Sequence, residues 1–337
     1  MSDDRHPVPQ GYEFIRLLGA GGHGEVVLAR HRALGREVAI KRILARHVND
    51  EQASERFRRE ARVLASTSTA TVVKVYDLIR EDAAAYLVME HVDGSSLSQI
   101  LDGGPLPAAD AIAILRDVAQ ALAVMEGKGV VHRDVKPGNV FVLTDGSAKL
   151  GDFGLARVLN DASIFRTAGP SDLGTPAYFP PEVSKDGAEP DSRSDAYSFA
   201  VMAYEVLTGH LPLTGPNPMS MITAHWLKEP TDPREHLPGF PDLAWTALRS
   251  GLAKDPGLRS SPTDLVDQLS AVPADAWPAV ERPAAVASVP RRVEAPAPRP
   301  VPRLARTRWP ARRVLSIAVP VAVAIVLLAV ELFAGRG

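Results

Sequence analysis

The residues most able to do chemistry in this chain lie between positions 132 and 154. One segment reads His132-Arg133-Asp134-Val135-Lys136-Pro137-Gly138-Asn139; a short apolar run follows, then Asp152-Phe153-Gly154. Two carboxylates, an amide and a lysine on neighbouring loops suit phosphoryl transfer. In that chemistry a protein does little covalent work; it holds a divalent metal ion, spreads charge and aims a hydroxyl. Asp134 is placed to accept the proton of the attacking hydroxyl, Asn139 and Asp152 to hold metal, and Lys136 to sit over the transferred group. Either triplet, His-Arg-Asp or Asp-Phe-Gly, arises easily by chance. Both together, in this order, with Lys136 and Asn139 at their offsets, do not.

Such a site needs elements to hold it and a nucleotide. Tyr12 to Leu18 alternates as a strand and runs into Gly19-Ala20-Gly21-Gly22-His23-Gly24-Glu25-Val26. Glycines let backbone N–H groups approach phosphate where a Cβ would intrude. By itself Gly-x-Gly-x-x-Gly fits a hairpin turn or a dinucleotide-binding turn as well. The dinucleotide reading requires a helix next, whereas Glu25 to Arg30 alternates as a second strand. A third strand, Glu37-Val38-Ala39-Ile40-Lys41, ends on a lysine. In the helix beyond it, Phe57, Ala61 and Leu64 mark the buried face. Glu60 edges that face, where a carboxylate is costly unless paired; the other reading is a surface glutamate beside Arg58 and Arg59. Val72 to Ile79 and Ala85 to Met89 read as two more strands. Ile112, Leu115, Ala119 and Leu122 place a helix over Pro107 to Glu126, expected to be the central buried helix leading to the His-Arg-Asp segment. Further helices are expected at 194–208, 218–228, 241–253 and 262–270.

Taken together these motifs resemble those of eukaryotic-type protein kinases over roughly residues 12 to 270. The resemblance implies an α+β, two-lobed protein kinase fold: a small β-rich N-lobe (12–90) and a larger helical C-lobe (91–270), preceded by a tail (1–11). It implies ATP with Mg²⁺ (or Mn²⁺) and protein substrates. Gly-x-Gly-x-x-Gly-x-Val becomes a lid over the phosphates, with Leu18, Gly19, Ala20, Gly21, Gly22, His23, Gly24, Glu25 and Val26 binding nucleotide. Val-Ala-Ile-Lys places Ala39 and Lys41 at the nucleotide, with Lys41 on the α- and β-phosphates and paired with Glu60. Tyr86 to Gly94 resembles the hinge: Met89 guards the back pocket, backbone groups of Glu90 and Val92 bind adenine, and Phe141 is a further nucleotide-binding residue. His132 and Phe153 are implied to stack in an apolar spine. Leu155 to Leu173 resembles an activation loop, with Ser163, Thr167 and Ser171 as phosphate acceptors and Arg133 as the phosphate's partner. Gly174-Thr175-Pro176-Ala177-Tyr178-Phe179-Pro180-Pro181-Glu182 resembles the block that seats the substrate peptide, with Pro180 in place of the usual Ala. Thr175 is implied to bond Asp134 and Lys136, Glu182 to pair with Arg259, and Asp195 to hold the catalytic loop's backbone. Asp-x-Lys-Pro-x-Asn resembles the serine/threonine branch.

Composition and charge bound the rest. The chain has 337 residues and a net charge of −2, so nothing global points to nucleic acid, and no cysteine, which rules out disulfides and cysteine chemistry. Met1 to Gln10 is polar and lacks the apolar core of a signal peptide. Residues 271–313 hold nine prolines, and Arg282 to Arg313 holds nine arginines against one acid, Glu294. This is an extended linker, reaching roughly 35–40 Å as a coil and about 130 Å as polyproline. Val314 to Phe333 is apolar but for Ser316, Pro320 and Glu331. As a helix it measures about 30 Å, the thickness of a bilayer core. Arg303, Arg306, Arg308, Arg312 and Arg313 precede it and Arg336 follows, so positive-inside reasoning keeps the kinase in the cytoplasm, with anionic lipid headgroups as the arginines' partner. The expectation is a single-pass cell-membrane kinase of the bacterial type, with 334–337 as a short extracytoplasmic tail too small for a sensor and a homodimer as the arrangement for phosphorylation in trans. Two other readings compete. A catalytically dead scaffold is disfavoured by the intact set Lys41, Glu60, Asp134, Asn139 and Asp152. A small-molecule kinase is disfavoured by the intact 174–182 block.

Overall fold

The computed structural model describes residues 6–21, 24–44, 51–67, 69–81, 84–152, 176–184, 188–281 and 283. All of them belong to the first of two compact units into which the chain divides, residues 1–292. Phe153, Gly154, the 155–173 loop, Thr175, Gly22, His23, most of the linker and the 314–333 stretch lie outside the described residues. Among the described residues no helix is long and apolar enough to cross a membrane.

The first lobe is one antiparallel sheet in the order β1-β2-β3-β5-β4. Its strands are β1 (Tyr12–Gly21), β2 (Gly24–His31), β3 (Glu37–Leu44), β4 (Val75–Glu81) and β5 (Ala84–Glu90). The glycine motif is the turn of the β1–β2 hairpin, with Gly21 opposite Gly24, as the strand reading of Glu25 to Arg30 requires. Strand alternation sorts the side chains into two faces. Val27, Ile40 and Val88 share the outer face, and Val26, Lys41 and Leu87 the inner one. Helix α1 (Glu51–Ala65) packs beside the sheet with Ala61 and Leu64 buried.

Val72 and Val73 depart from the expected strand. Val73 N–H donates to Leu150 C=O at 2.9 Å and Leu150 N–H to Thr71 C=O at 2.9 Å. These residues therefore splice the base of the sheet onto the second lobe, and β4 starts only at Val75. Backbone groups of a buried segment must be paired somewhere, and here Leu150 supplies the pairing.

The second lobe begins with β6 (Gly94–Ser96) and α2 (Leu97–Leu101), then α3 (Ala108–Glu126) and the hairpin β7 (Val140–Leu143) and β8 (Ala148–Leu150). The periodicity of α3 is realised: Leu115, Val118, Ala119 and Leu122 are buried. α3 is a buried helix leading to the His132 segment, as expected, and α4 (Ser192–Thr208) is buried further still, with every residue from Ser194 to Thr208 except Glu205 inside. Asp191 caps α4 in a reciprocal box with Ser194, and Gly209 ends it at φ 76°, a conformation glycine adopts without strain. Helices α5 (Pro218–Leu227), α6 (Asp242–Gly251) and α7 (Pro262–Ser270) complete the lobe.

One buried ion pair ties its far end together. Arg259, 3% exposed, donates from both terminal nitrogens to Glu182, each at 2.7 Å. The same guanidinium donates to the carbonyls of Ala253, Arg193 and Lys254. Burial works to raise the Glu182 pKa, but the Arg259 bonds and charge outweigh it and hold the carboxyl below its ordinary value. Removing one partner leaves an uncompensated buried charge. Arg259→Ala should therefore lose about 3–5 kcal/mol in urea unfolding; a loss below about 1 kcal/mol would show that the pair does not hold this end of the lobe.

Candidate active site

His132 is fully buried and organises the catalytic segment by hydrogen bonds. Burial lowers its pKa to about 4, so the ring is neutral. Its Nδ1 accepts from the Asp134 N–H at 3.3 Å and its Nε2 faces the Gly151 carbonyl at 3.1 Å, which assigns the proton to Nε2. One ring thus binds the segment carrying Asp134 to the residue preceding Asp152. The backbone here is held open by Asp195, whose carboxylate accepts from His132 N–H at 2.6 Å and Arg133 N–H at 2.8 Å. Burial pushes the Asp195 pKa up to about 7 against the pull of those two amides. Arg133 and Asp152 both sit in the left-handed region, at φ 66° and 53°, conformations that non-glycine residues hold only when their surroundings impose them.

Asp134, Lys136 and Asn139 converge. Lys136 Nζ lies 2.8 Å from Asp134 Oδ2. The Asn139 amide donates to the Asp134 backbone carbonyl at 2.7 Å and to its Oδ2 at 2.9 Å. Asn139, 3% exposed, is fixed in a short 3₁₀ turn, and its carbonyl receives the Gly151 N–H at 2.9 Å. With both amide protons donated towards Asp134, its side-chain oxygen remains an acceptor. That oxygen and the Asp152 carboxylate are hard oxygen donors, the set a Mg²⁺ takes when phosphate oxygens and water complete its shell. The residues present fit the metal.

The expected pair between Lys41 and Glu60 is not formed. Lys41, buried on the inner face of β3, is ion-paired with Asp152. Glu60 instead accepts from Arg133 Nη1, at 2.9 and 2.8 Å to its two oxygens. Each partly buried charge has found a different partner, and the guanidinium, with several donors on one plane, outcompetes an ammonium already engaged elsewhere.

An apolar floor beside Lys41 is assembled from both lobes. Ala39, Met89 and Val73 form one apolar cluster with Val26, Val92 and Phe141. Val73 was not anticipated as a lining residue; its only signal was an apolar run that resembled strand. Gly151 was missed as well. A Cβ there would lie 2.7 Å from Val73 Cγ2 and 3.1 Å from Phe141 Cε2, so the residue before Asp152 must be glycine to close this floor. At the end of β5 the Glu90 N–H is committed to Lys74 C=O at 2.8 Å, so this N–H is not available to a ligand. The Glu90 side chain pairs with Lys149 of β8 and accepts the Lys74 N–H at 3.2 Å, a tie from hinge to second lobe that no motif signalled. In the lid Gly24 has φ 118°, and a Cβ on it would fall 2.1 Å from the Arg42 carbonyl oxygen. Gly19, Ala20, Gly21 and Leu18 lie on the other arm of the hairpin.

A glycine hairpin over a β-lobe, a buried lysine paired with the Asp152 carboxylate, and an aspartate flanked by lysine and asparagine form one site between a β-rich lobe and a helical lobe. Residues 12–269 match the family described as protein kinase domain, and the chain belongs to that family. The serine/threonine-protein kinase pkn2 of Myxococcus xanthus is 43% identical over 220 residues, covering 64% of this chain and 26% of that protein. Serine/threonine-protein kinase PknB of Mycobacterium leprae is 39% identical over 252 residues, covering 73% of this chain and 40% of that protein. The chain thus spans well under half the length of these relatives. The solved kinase domain of Mycobacterium tuberculosis PknI superposes with a TM-score of 0.64 at 27% identity, covering 80% of this chain and 98% of that domain.

Proposed function

We propose that the chain transfers the γ-phosphoryl group of ATP to serine or threonine hydroxyls of proteins. The observation that carries this reading is the convergence of Lys136 and Asn139 on Asp134, with the Lys41–Asp152 pair alongside. Asp134 orients the incoming hydroxyl and takes its proton as the oxygen attacks phosphorus. Lys136 offsets the charge that develops on the transferred group. Lys41 holds the α- and β-phosphates, and Asn139 with Asp152 would hold Mg²⁺ (or Mn²⁺). Bound there, the metal neutralises phosphate charge. The names of the bacterial relatives and the Asp134-x-Lys136 spacing support serine and threonine as acceptors. Incubation with labelled ATP, Mg²⁺ and a basic protein substrate tests the reading: phosphoserine or phosphothreonine supports it, and ATP hydrolysis without protein labelling would overturn it.

The Glu60–Arg133 pair supports self-activation. A phosphate on Ser163, Thr167 or Ser171 would compete for the Arg133 guanidinium, releasing Glu60 to reach Lys41. In mass spectra the loop should be phosphorylated in the unaltered chain and unmodified in Asp134→Asn. Equal phosphorylation in both would refute phosphorylation by the chain itself.

Membrane anchoring by residues 314–333 belongs to the same proposal. It rests on the length and apolarity of that stretch and on the arginines before it. A version ending at residue 313 should leave the membrane fraction and keep its activity per molecule on a peptide. Retention of the shortened protein in the membrane would assign anchoring elsewhere.

A further inference from the structure

The segment ahead of β1 is fastened to the outer face of the first lobe at three points. Val8 packs against the apolar cluster of Val27, Ile40 and Val88. Gln10 N–H donates to Glu81 Oε1 at 3.3 Å. His6 lies flat against Phe14, ring centroids 5.3 Å apart and planes 14° apart, with Nδ1 3.2 Å from Glu25 Oε2. A carboxylate only accepts, so the proton in this last bond is on His6 Nδ1. Glu25 belongs to the lid, between Gly24 and Val26. Val26 joins the inner apolar cluster, so alternation turns Glu25 outward. Directly opposite it on β3 is Arg42, whose side chain is engaged with Tyr86. Among the described residues, the hydrogen-bond partner of Glu25 is His6.

We infer that His6 is a positioning residue for nucleotide binding: it holds the Glu25 carboxylate on the outer side of the glycine lid, away from the phosphates the inner side receives. The inference rests on the kinase reading of the lid. Its physics is simple. The lid must accept a polyanion, and it carries a carboxylate one residue from the glycine that touches β3. Alternation sets its face but not its reach: released, that carboxylate can swing along the outer face towards the hairpin tip, where it repels phosphate through partly screening solvent. The Phe14 stack fixes the imidazole plane, and Val8 and Gln10 fix the strand that carries it. A geometry held at both ends costs little side-chain entropy to maintain.

The test is steady-state kinetics on the full chain, with direct ATP titration. His6→Ala should raise KM for ATP about threefold, the scale of a partly exposed charge contact, with kcat and the thermal midpoint unchanged. His6→Asn restores a donor and should return KM to near the starting value. In a Glu25→Gln background, where no charge needs holding, His6→Ala should be silent. An unchanged KM in His6→Ala, or the same rise on both backgrounds, would overturn the inference. Gly24→Ala separates this from the underlying reading, because its Cβ collides with the Arg42 carbonyl whatever the strap does. If Gly24→Ala weakens ATP binding and His6→Ala does not, the strap's role falls alone. If Gly24→Ala leaves ATP binding intact, the lid is not the nucleotide site and both readings fall.

Discussion

Asp134→Asn protein should bind ATP as the unaltered chain does and turn over about 10²–10⁴-fold more slowly, the usual contribution of a positioned base. The substitution is close to isosteric, so the local hydrogen bonds decide how clean the result is. Asn139 donates to both the backbone carbonyl and Oδ2 of Asp134, and a carboxamide oxygen at the Oδ2 position still accepts. The Lys136 ammonium at 2.8 Å loses its counter-charge but stays partly solvated. ATP affinity, measured by titration, should therefore change little while peptide phosphorylation collapses. Retained turnover would show that proton removal is not its role.

Lys41→Met should lower turnover about 10²–10³-fold, the cost of removing one preorganised charge from a transition state. Asp152→Asn should do the same, and the double variant should be little worse than the more damaged single, because residues acting as one unit are not additive. The structure adds a condition on Glu60. With Glu60 bound to Arg133 and Lys41 to Asp152, a double-mutant cycle on the unphosphorylated protein should show Glu60 coupled to Arg133 and uncoupled from Lys41. After loop phosphorylation the coupling should pass to Lys41. Coupling between Glu60 and Lys41 in both states would refute the exchange of partners.

The Glu60–Arg133 and Lys41–Asp152 pairs show what linear motifs carry and what they omit. The convergence around Asp134 was legible because its members are near in sequence: His132 to Asn139 is one turn-bearing segment, and Asp152 follows within one hairpin. Chemistry at such spacing constrains residue type at each position, so the pattern survives without coordinates. The lid was legible for a different reason, since only glycine tolerates the Arg42 carbonyl beside Gly24. Helices were recovered wherever one face was apolar. The boundary of β4 was not, because Val72 and Val73 are as strand-like as their neighbours; only the position of Leu150 claims their backbone.

By itself, the sequence determined the kinase fold and the grouping of Lys136 and Asn139 around Asp134. The tertiary structure decided the partners of the charged groups. Lys41, Glu60, Arg133 and Asp152 are two cations and two anions brought close by folding, and periodicity is silent on which anion each cation takes. The outcome depends on angstrom-scale distances between α1, β3 and the catalytic segment, where Coulomb energies change steeply. The same holds for His132, which reads as a motif letter in the chain. Only full burial and two neighbours at hydrogen-bond distance, Asp134 N–H and Gly151 C=O, make it a neutral strut between the two halves of the site.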